Sequence, residues 1–309
     1  GQKEIIELIL NHHHTLGVLP TGGGKSICYQ VPGLMLEGTT IVISPLISLM
    51  KDQVDQLKAM GIAAAYLNSS LTAQAQKEIE QQLVDGELKF LYVAPERFES
   101  TYFEMLLRRV NIALVAFDEA HCISKWGHDF RPSYQAVIQR VLAMPQHFAI
   151  IALTATATTE VQQDIMSRLM IHPNHVVKTS IRRRNLKFQV NATYQRQKFI
   201  VDYVKSHAKV SGIIYCSTRK QVEALYEALE DVGVAATYYH AGLTSNQRNE
   251  AQNDFLYDRI RVVIATNAFG MGIDKSNVRY VIHYNMPGDL ESYYQEAGRA
   301  GRDGLESDC

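Results

Sequence analysis

Short apolar runs alternate with amphipathic segments along the first half of the chain. The runs are rich in β-branched residues, are bounded by turn residues, and predict buried strands at 39–44, 88–94, 112–117 and 148–153. Apolar residues at helical spacing follow these runs and predict helices at 46–60, 72–84, 133–143 and 159–169. This alternation is typical of a parallel sheet covered by helices on both faces. The first half is therefore predicted to be an α/β domain.

The same alternation starts again in the second half. It predicts strands at 212–216, 235–239, 260–265 and 279–284, and helices at 219–231 and 245–256. Between the two series lie the basic run Arg182 to Arg184 and a weaker strand signal at 186–190. We interpret the basic run as a solvated face. We predict two tandem α/β domains with mainly parallel sheets, residues 1–182 and 183–309.

Composition limits the function classes. At 309 residues and 46% hydrophobic, the chain can bury two cores, and its net charge of -1 excludes a strongly basic coat for nucleic acid. Any contact with nucleic acid must therefore be local. The sequence has no apolar run long enough to span a membrane and no pattern of a secretory signal. We expect an intracellular protein with no membrane partner.

Neither the cysteines nor a histidine triplet predicts a metal site. Cys28, Cys122, Cys216 and Cys309 lie far apart with no CxxC pair, so we expect no zinc and no disulfide. The adjacent side chains of His12 to His14 diverge, and we interpret the triplet as a solvated turn.

A glycine loop follows the apolar run 16–19. It reads Thr21-Gly22-Gly23-Gly24-Lys25-Ser26 and precedes a helical pattern that starts at Ile27. Glycines let backbone N–H groups turn around a phosphate, the lysine can reach the outer phosphates, and Ser26 can hold Mg²⁺. Leu19 occupies the position of the first glycine in the general P-loop pattern, so the match is not strict.

An acidic pair, Asp118 and Glu119, emerges after the buried run 112–117. Parallel sheets bind ligands at the carboxyl ends of their strands, where this pair can meet the glycine loop. We expect Asp118 to hold Mg²⁺ and Glu119 to orient and deprotonate an attacking water. An ordinary helix start is the structural alternative. Two half-sites in this order favour a nucleoside triphosphatase.

Aromatic residues follow the acidic pair without any helical or strand period. Lys125, Gly127, His128 and Asp129 interrupt the aromatic residues Trp126 and Phe130, which favours an exposed loop. A tryptophan packed under a loop is the alternative. Such rings can stack on the bases of single-stranded DNA, and Arg131 can add a phosphate contact. If DNA orders this loop, it could reposition Glu119 and make hydrolysis depend on DNA.

The ordered motifs resemble those of superfamily 2 helicases of the RecQ type. They include Thr21-Gly-Gly-Gly-Lys-Ser, Asp118-Glu-Ala-His, Tyr239-His-Ala-Gly-Leu and Gln295-Glu-Ala-Gly-Arg-Ala-Gly-Arg. The extension from His121 to Tyr134 resembles the aromatic-rich loop of RecQ and is the most specific of them. The similarity covers nearly the whole chain and is to the helicase core.

This resemblance implies two RecA-like domains that hold ATP and Mg²⁺ in the cleft between them. It implies a monomeric motor that moves 3′ to 5′ on single-stranded DNA and unwinds partly duplex DNA in repair or recombination, in the nucleoid or the nucleus. Gln2 matches the adenine-reading glutamine, Arg299 and Arg302 match arginine fingers, and Gln295 lies in the same motif. Asp274 is implied on the nucleotide side, and His240 and Thr266 on the DNA side. Arg302 is the stronger of the two finger candidates.

Two alternatives stay open at this stage. An RNA helicase of the Asp-Glu-Ala-Asp type is disfavoured by His121 and by the aromatic extension. A clamp that binds nucleotide without hydrolysis would require the loss of Lys25, Glu119 or Arg302, and all three are present.

Overall fold

The computed structural model of the chain describes residues 1–127, 129–180, 182–267, 269 and 275–309, and of Ser48 the backbone alone. The chain forms two compact units, Gly1–Ile181 and Arg182–Cys309. Among the described residues, no helix combines the length and the apolar character needed to cross a membrane.

The first unit contains a seven-stranded parallel sheet in the order β3-β4-β2-β5-β6-β1-β7. Its strands are β1 (Thr15–Val18), β2 (Thr39–Ile43), β3 (Ala64–Leu67), β4 (Phe90–Val93), β5 (Ile112–Phe117), β6 (Ala149–Thr154) and β7 (Val176–Lys178). Its helices are α1 (Gln2–Leu10), α2 (Ile27–Met35), α3 (Ile47–Ala59), α4 (Ala73–Val84), α5 (Thr101–Leu107), α6 (Ser133–Leu142) and α7 (Thr159–Leu169). Each residue of β1, β2, β4, β5 and β6 is buried because helices cover both faces of the sheet.

The second unit contains a six-stranded parallel sheet in the order β10-β11-β9-β12-β13-β8. Its strands are β8 (Leu186–Lys187), β9 (Ser211–Tyr215), β10 (Ala236–Tyr239), β11 (Val262–Ala265), β12 (Val278–His283) and β13 (Ser307–Asp308). Its helices are α8 (Arg196–Ser206), α9 (Arg219–Glu230), α10 (Ser245–Leu256) and α11 (Leu290–Ala297). The predicted α/β class with two parallel sheets is confirmed.

The strand register of the first sheet brings distant segments to one edge. Val18 pairs with Thr154, and Phe117 pairs with both Ala152 and Ile43. The carboxyl ends of β1, β2, β5 and β6 are therefore nearly level, and the loops that follow them are neighbours. Both predicted half-sites leave the sheet at this edge.

Candidate active site

The glycine loop after β1 has the backbone conformation that its sequence requires. Gly22 and Gly24 have φ of 76° and 69°, which non-glycine residues rarely adopt. A Cβ on Gly23 would lie 2.8 Å from the carbonyl oxygen of Pro20, whose oxygen also accepts the Gly23 N–H at 2.8 Å. Ser26 precedes the first turn of α2, so the loop leads directly into a helix N-terminus.

Leu19, which departs from the general P-loop pattern, belongs to the core. Its side chain is 2% exposed, and its N–H donates to the carbonyl of Thr154 at 3.0 Å. The pairing of β1 with β6 thus continues one residue beyond β1. A glycine at this position would lose that apolar packing.

Gln2, predicted to read adenine, contacts the glycine loop. Its Nε2 donates to the carbonyl oxygens of Gly23 at 3.0 Å and Gly24 at 3.3 Å. It begins α1, whose Ile5 and Ile9 are fully buried and fix the helix on the unit. The described contact is therefore with the backbone of the glycine loop.

Asp118 is a buried carboxylate beside the loop. Its side chain is 8% exposed, and its N–H donates to the carbonyl of Ile43 at 2.9 Å. Burial and the neighbouring charge of Glu119 raise the pKa of Asp118, while the Lys25 ammonium and a hydrogen bond with Ser44 act in the opposite direction. The influence of Lys25 indicates that the glycine loop and the acidic pair belong to one electrostatic site.

The oxygen donors at this site suit Mg²⁺. Ser26 makes a hydrogen bond with the buried phenol of Tyr29, and the Asp118 charge raises the pKa of the same phenol, after burial and Tyr92. Ser26 and Asp118 therefore both act on the same side chain. A hydroxyl and a carboxylate are ligands that Mg²⁺ prefers.

Glu119 adopts a strained backbone conformation and pairs with a histidine. It has φ 47° and ψ 50°, in the left-handed region, where a non-glycine residue is costly. Its Oε2 lies 3.4 Å from Nδ1 of His121, which is also 3.1 Å from Oγ1 of Thr154. Because Thr154 donates to the carbonyl of Thr156 at 2.9 Å, its oxygen is free to accept from the His121 N–H.

Two positioning contacts here were not predicted from the sequence. His121, which lies beside Glu119, contacts Thr154 at the end of β6, and the Leu153-Thr-Ala-Thr sequence there is a weak signal by itself. Tyr134, fully buried in α6, donates from its hydroxyl to the Asp118 carbonyl at 3.1 Å. The one sequence signal for Tyr134 was its position at the end of the aromatic extension.

In the second unit, the predicted arginines gather around Tyr215 at the end of β9. Arg299 is 9% exposed and makes a side-chain hydrogen bond to the Tyr215 hydroxyl, and Arg302 acts electrostatically on the same group. Burial raises the pKa of Tyr215 to about 12, and its hydroxyl donates to the Phe269 carbonyl at 3.0 Å. Within α11, Glu296 holds Nε2 of His283 at 2.8 Å. Gln295 is half-buried on the same helix.

Known proteins match both units. A family model described as DEAD/DEAH box helicase matches residues 1–165, which is more than half of the chain, and one described as helicase conserved C-terminal domain matches residues 195–304. The chain belongs to the DEAD/DEAH box helicase family. Membership of this family implies the use of ATP.

Within the DEAD/DEAH box family, the curated relatives include RecQ helicases. The chain is 51% identical over 310 residues to the ATP-dependent DNA helicase RecQ of Bacillus subtilis (strain 168), covering 100% of this chain and 52% of the relative. It spans about half the length of the curated relatives it matches. The RecQ resemblance is confirmed.

Solved helicase structures share the fold at low sequence identity. The structure of the DUF1998 helicase MrfA bound to DNA matches with a TM-score of 0.81 at 18% identity, covering 99% of this chain and 45% of that one. The DEAD-box helicase Mss116 bound to ssRNA and UDP-BeF matches with a TM-score of 0.81 at 17% identity, covering 99% and 68%. These matches confirm the two RecA-like domains.

The aromatic-rich loop of this helicase core is tied to the acidic motif. Trp126 is 77% exposed, so the alternative of a core tryptophan is wrong. The Gly127 N–H donates to the carbonyl of Ser124 at 3.0 Å, and a Cβ on Gly127 would lie 2.2 Å from the carbonyl oxygen of His121. The loop backbone thus packs directly on the motif that contains Glu119. Phe130 is half-buried.

Arg131 supports this loop from inside the unit. Its guanidinium binds Oδ2 of Asp129 at 3.1 Å and donates to the carbonyl of Pro45 at 3.3 Å. These contacts join the loop to the segment after β2. The expected phosphate contact would have to compete with them.

Cys122 and Asp129 form a cluster with His121 that the cysteine spacing did not predict. Their potential ligand atoms lie within 4.8 Å of one another. The Cys122 thiol donates to Asp129 at 3.7 Å, and burial raises the pKa of that thiol strongly. A protonated thiol is a poor metal ligand, and Arg131 already neutralises Asp129.

The remaining predicted residues differ in accessibility. His240 is 4% exposed, with Nδ1 accepting from the Gly242 N–H at 3.2 Å and Nε2 lying 3.2 Å from Glu223. The DNA-side role implied for His240 stays a prediction. Thr266 is half-buried at the end of β11, where its N–H donates to Tyr239. Asp274 lies outside the described residues.

Proposed function

We propose that the chain is the motor core of an ATP-dependent DNA helicase that moves 3′ to 5′ on single-stranded DNA and unwinds duplex DNA. The observation that carries this proposal is the meeting, at one sheet edge, of a phosphate-binding loop, a buried acidic pair and an exposed aromatic loop. The family relationship supports it, since the B. subtilis RecQ relative is named an ATP-dependent DNA helicase. Single-stranded and partly duplex DNA are the proposed partners.

For hydrolysis, we propose that the glycine loop (residues 21–24) and Lys25 bind the phosphates of ATP. Ser26 and Asp118 would hold Mg²⁺, which neutralises phosphate charge when bound. Glu119 would accept a proton from the attacking water, oriented by the His121 and Thr154 contacts. Arg302 and Arg299 would stabilise the charge of the transferring phosphoryl group, with Gln295 and Asp274 as further nucleotide-side residues. Gln2 would link adenine recognition to the loop backbone.

For DNA, we propose that Trp126 and Phe130 stack on bases and that Thr266 contacts the strand. His240, whose Nδ1 accepts from the Gly242 N–H, would contribute to the DNA side of the second unit. Because the aromatic loop packs on the His121 carbonyl, ordering of the loop by DNA can shift Glu119 and so couple hydrolysis to DNA. The motor is proposed to be monomeric, to need no zinc within this core, and to act on DNA of the nucleoid or nucleus in repair or recombination.

The test compares ATP turnover without nucleic acid, with single-stranded DNA and with RNA of the same sequence. We expect ATP turnover to be stimulated strongly by DNA and not by RNA. In Lys25→Ala we expect no stimulated turnover, because this substitution removes the ammonium that binds phosphate and leaves the hydrophobic core unchanged. Equal stimulation by RNA would favour the RNA helicase alternative. Unwinding of duplexes with a 3′ or a 5′ single-stranded tail tests polarity, and only the 3′-tailed substrate should be opened.

A further inference from the structure

Arg183 belongs to the short basic run that begins the second unit, and its burial differs from that of its two neighbours. Arg182 and Arg184 are exposed, whereas Arg183 is half-buried. Its guanidinium donates to the carbonyl oxygens of Gly298 at 3.1 Å and Ala300 at 3.0 Å, and also to that of Gly301. The expectation of a uniformly solvated basic face is wrong for this residue.

The accepting carbonyls surround the candidate arginine fingers. They belong to the turn that ends α11, flank Arg299 on both sides and directly precede Arg302. The last carbonyls of a helix have no partner within the helix and carry the negative end of its dipole. A planar guanidinium can satisfy several of them at once in a fixed geometry, which a lysine cannot do.

Asn185 completes the same attachment. Its Nδ2 donates to the carbonyls of Gly301 at 2.8 Å and Leu305 at 2.9 Å. Gly301 has φ of 55°, and a Cβ there would lie 2.5 Å from this Nδ2. The turn that carries the arginines is therefore shaped around two side chains that lie more than a hundred residues earlier in the chain.

We propose that Arg183 is a positioning residue for Arg299 and Arg302, a role that rests on the proposed function. Arg183 is the second residue of the second unit, and the turn that it contacts is near the end of the same unit. Stabilising a transition state requires accurate placement, and a shift of about 1 Å can cost about a hundredfold in rate. Arg183 acts on hydrolysis through the turn, without touching nucleotide.

The test compares Arg183→Gln with Arg184→Gln. The second variant removes the same charge one residue away, from an exposed side chain. For Arg183→Gln at saturating DNA we expect kcat to fall by about tenfold or more while KM for ATP changes by less than about twofold. Arg184→Gln should keep the parent values. Arg183→Lys, which can reach fewer carbonyls, should fall between the two.

A second readout separates positioning from general damage. ADP with aluminium fluoride mimics the transferring phosphoryl group, so the parent should bind it more tightly than ADP alone. Arg183→Gln should lose this preference by about the same factor as kcat, with ADP affinity retained. A parent-like kcat, or a lowered kcat with the preference intact, would overturn the proposal. If Arg183→Gln does not fold, Arg183→Lys decides by the same two measurements.

Failure of the proposed function gives a different pattern. In that case the parent lacks DNA-stimulated turnover, or Arg302→Gln keeps the parent rate. If instead the parent is stimulated and Arg302→Gln is inactive, the proposed function stands, and the result for Arg183 is judged by itself.

Discussion

The two units place their functional side chains by different physical means. In the first unit, Lys25, Asp118 and Glu119 lie within seven residues of a strand end, and backbone geometry positions them. In the second unit, Arg299 and Arg302 lie beyond the end of a helix and are held by Tyr215, Arg183 and other residues distant in sequence. A site built on the backbone tolerates changes around it. A site held by side-chain hydrogen bonds can be disturbed by substitutions of residues that do not contact the ligand.

The largest effect is expected at the backbone-built site. Glu119→Gln preserves size but removes the base, so turnover should fall by roughly a hundredfold or more while Mg-ATP still binds. Single-turnover hydrolysis and nucleotide binding measure the two quantities. Glu96→Gln is a matched control, because Glu96 is exposed just after β4 at the same sheet edge. Parent-like turnover in Glu119→Gln would remove this residue from its role.

Trp126 tests whether the exposed loop couples DNA to that site. In Trp126→Ala we expect most of the DNA stimulation of ATP turnover to be lost, because stacking of a base on an aromatic ring contributes about 1 to 3 kcal/mol. Basal turnover and the thermal midpoint should stay close to those of the parent. Tyr102→Ala, which truncates a 58% exposed aromatic residue in the same unit, is the control. Unchanged stimulation in Trp126→Ala would end the coupling hypothesis.

The difference between the units also decides what the sequence could predict. The strand, glycine loop and helix around Lys25 are contiguous, so their chemistry can be read from one short segment, and β5 followed by Asp118 gives the same kind of signal. Tyr215, Arg183 and Asn185 act through contacts across the chain, for which a single sequence holds no local pattern. Similarly, α1 and α11 were not predicted, because their polar faces and short lengths hide the few residues that they bury, such as Ile5 and Ile9.

A smaller effect is expected at Tyr215, which tests the hydrogen bonds that hold the site in the second unit. Tyr215→Phe keeps the ring but removes the donor to the Phe269 carbonyl, so the free energy of unfolding should fall by about 1 to 3 kcal/mol. Tyr280→Phe is a matched control, since the Tyr280 hydroxyl is buried with no hydrogen-bond partner among the described residues. Its removal should be neutral or stabilising. Urea unfolding of the full chain measures both, and equal losses would show that the Tyr215 contact has no special value.

The smallest effect concerns a part of the first unit that does depend on distant residues. The histidine triplet, interpreted as a solvated turn, meets two later histidines: His13 stacks on His175 with ring centroids 4.3 Å apart, and His172 lies 5.5 Å from His175. His14 accepts the Ile150 N–H at 3.1 Å through Nδ1. Burial and then His175 lower the pKa of His14, and desolvation followed by His13 and His172 lowers the pKa of His175. These histidines lie near the amino ends of β1, β6 and β7, at the opposite edge from the candidate active site.

The sign of the resulting pH dependence follows from these directions. Above the unfolded histidine pKa of about 6.5 both states are neutral and stability is unaffected, whereas below it the unfolded chain binds protons more readily than the folded one. The thermal midpoint should therefore fall as pH is lowered from about 7.5 to 5.5, and His175→Gln should reduce that fall, because it removes one depressed histidine and relieves His14. His147→Gln, at an exposed histidine, should leave the pH dependence of the parent unchanged. The effect is modest because water and salt screen the partly exposed imidazoles. An identical pH dependence in His175→Gln and the parent would contradict the expected effect of His175 on the stability of the first unit.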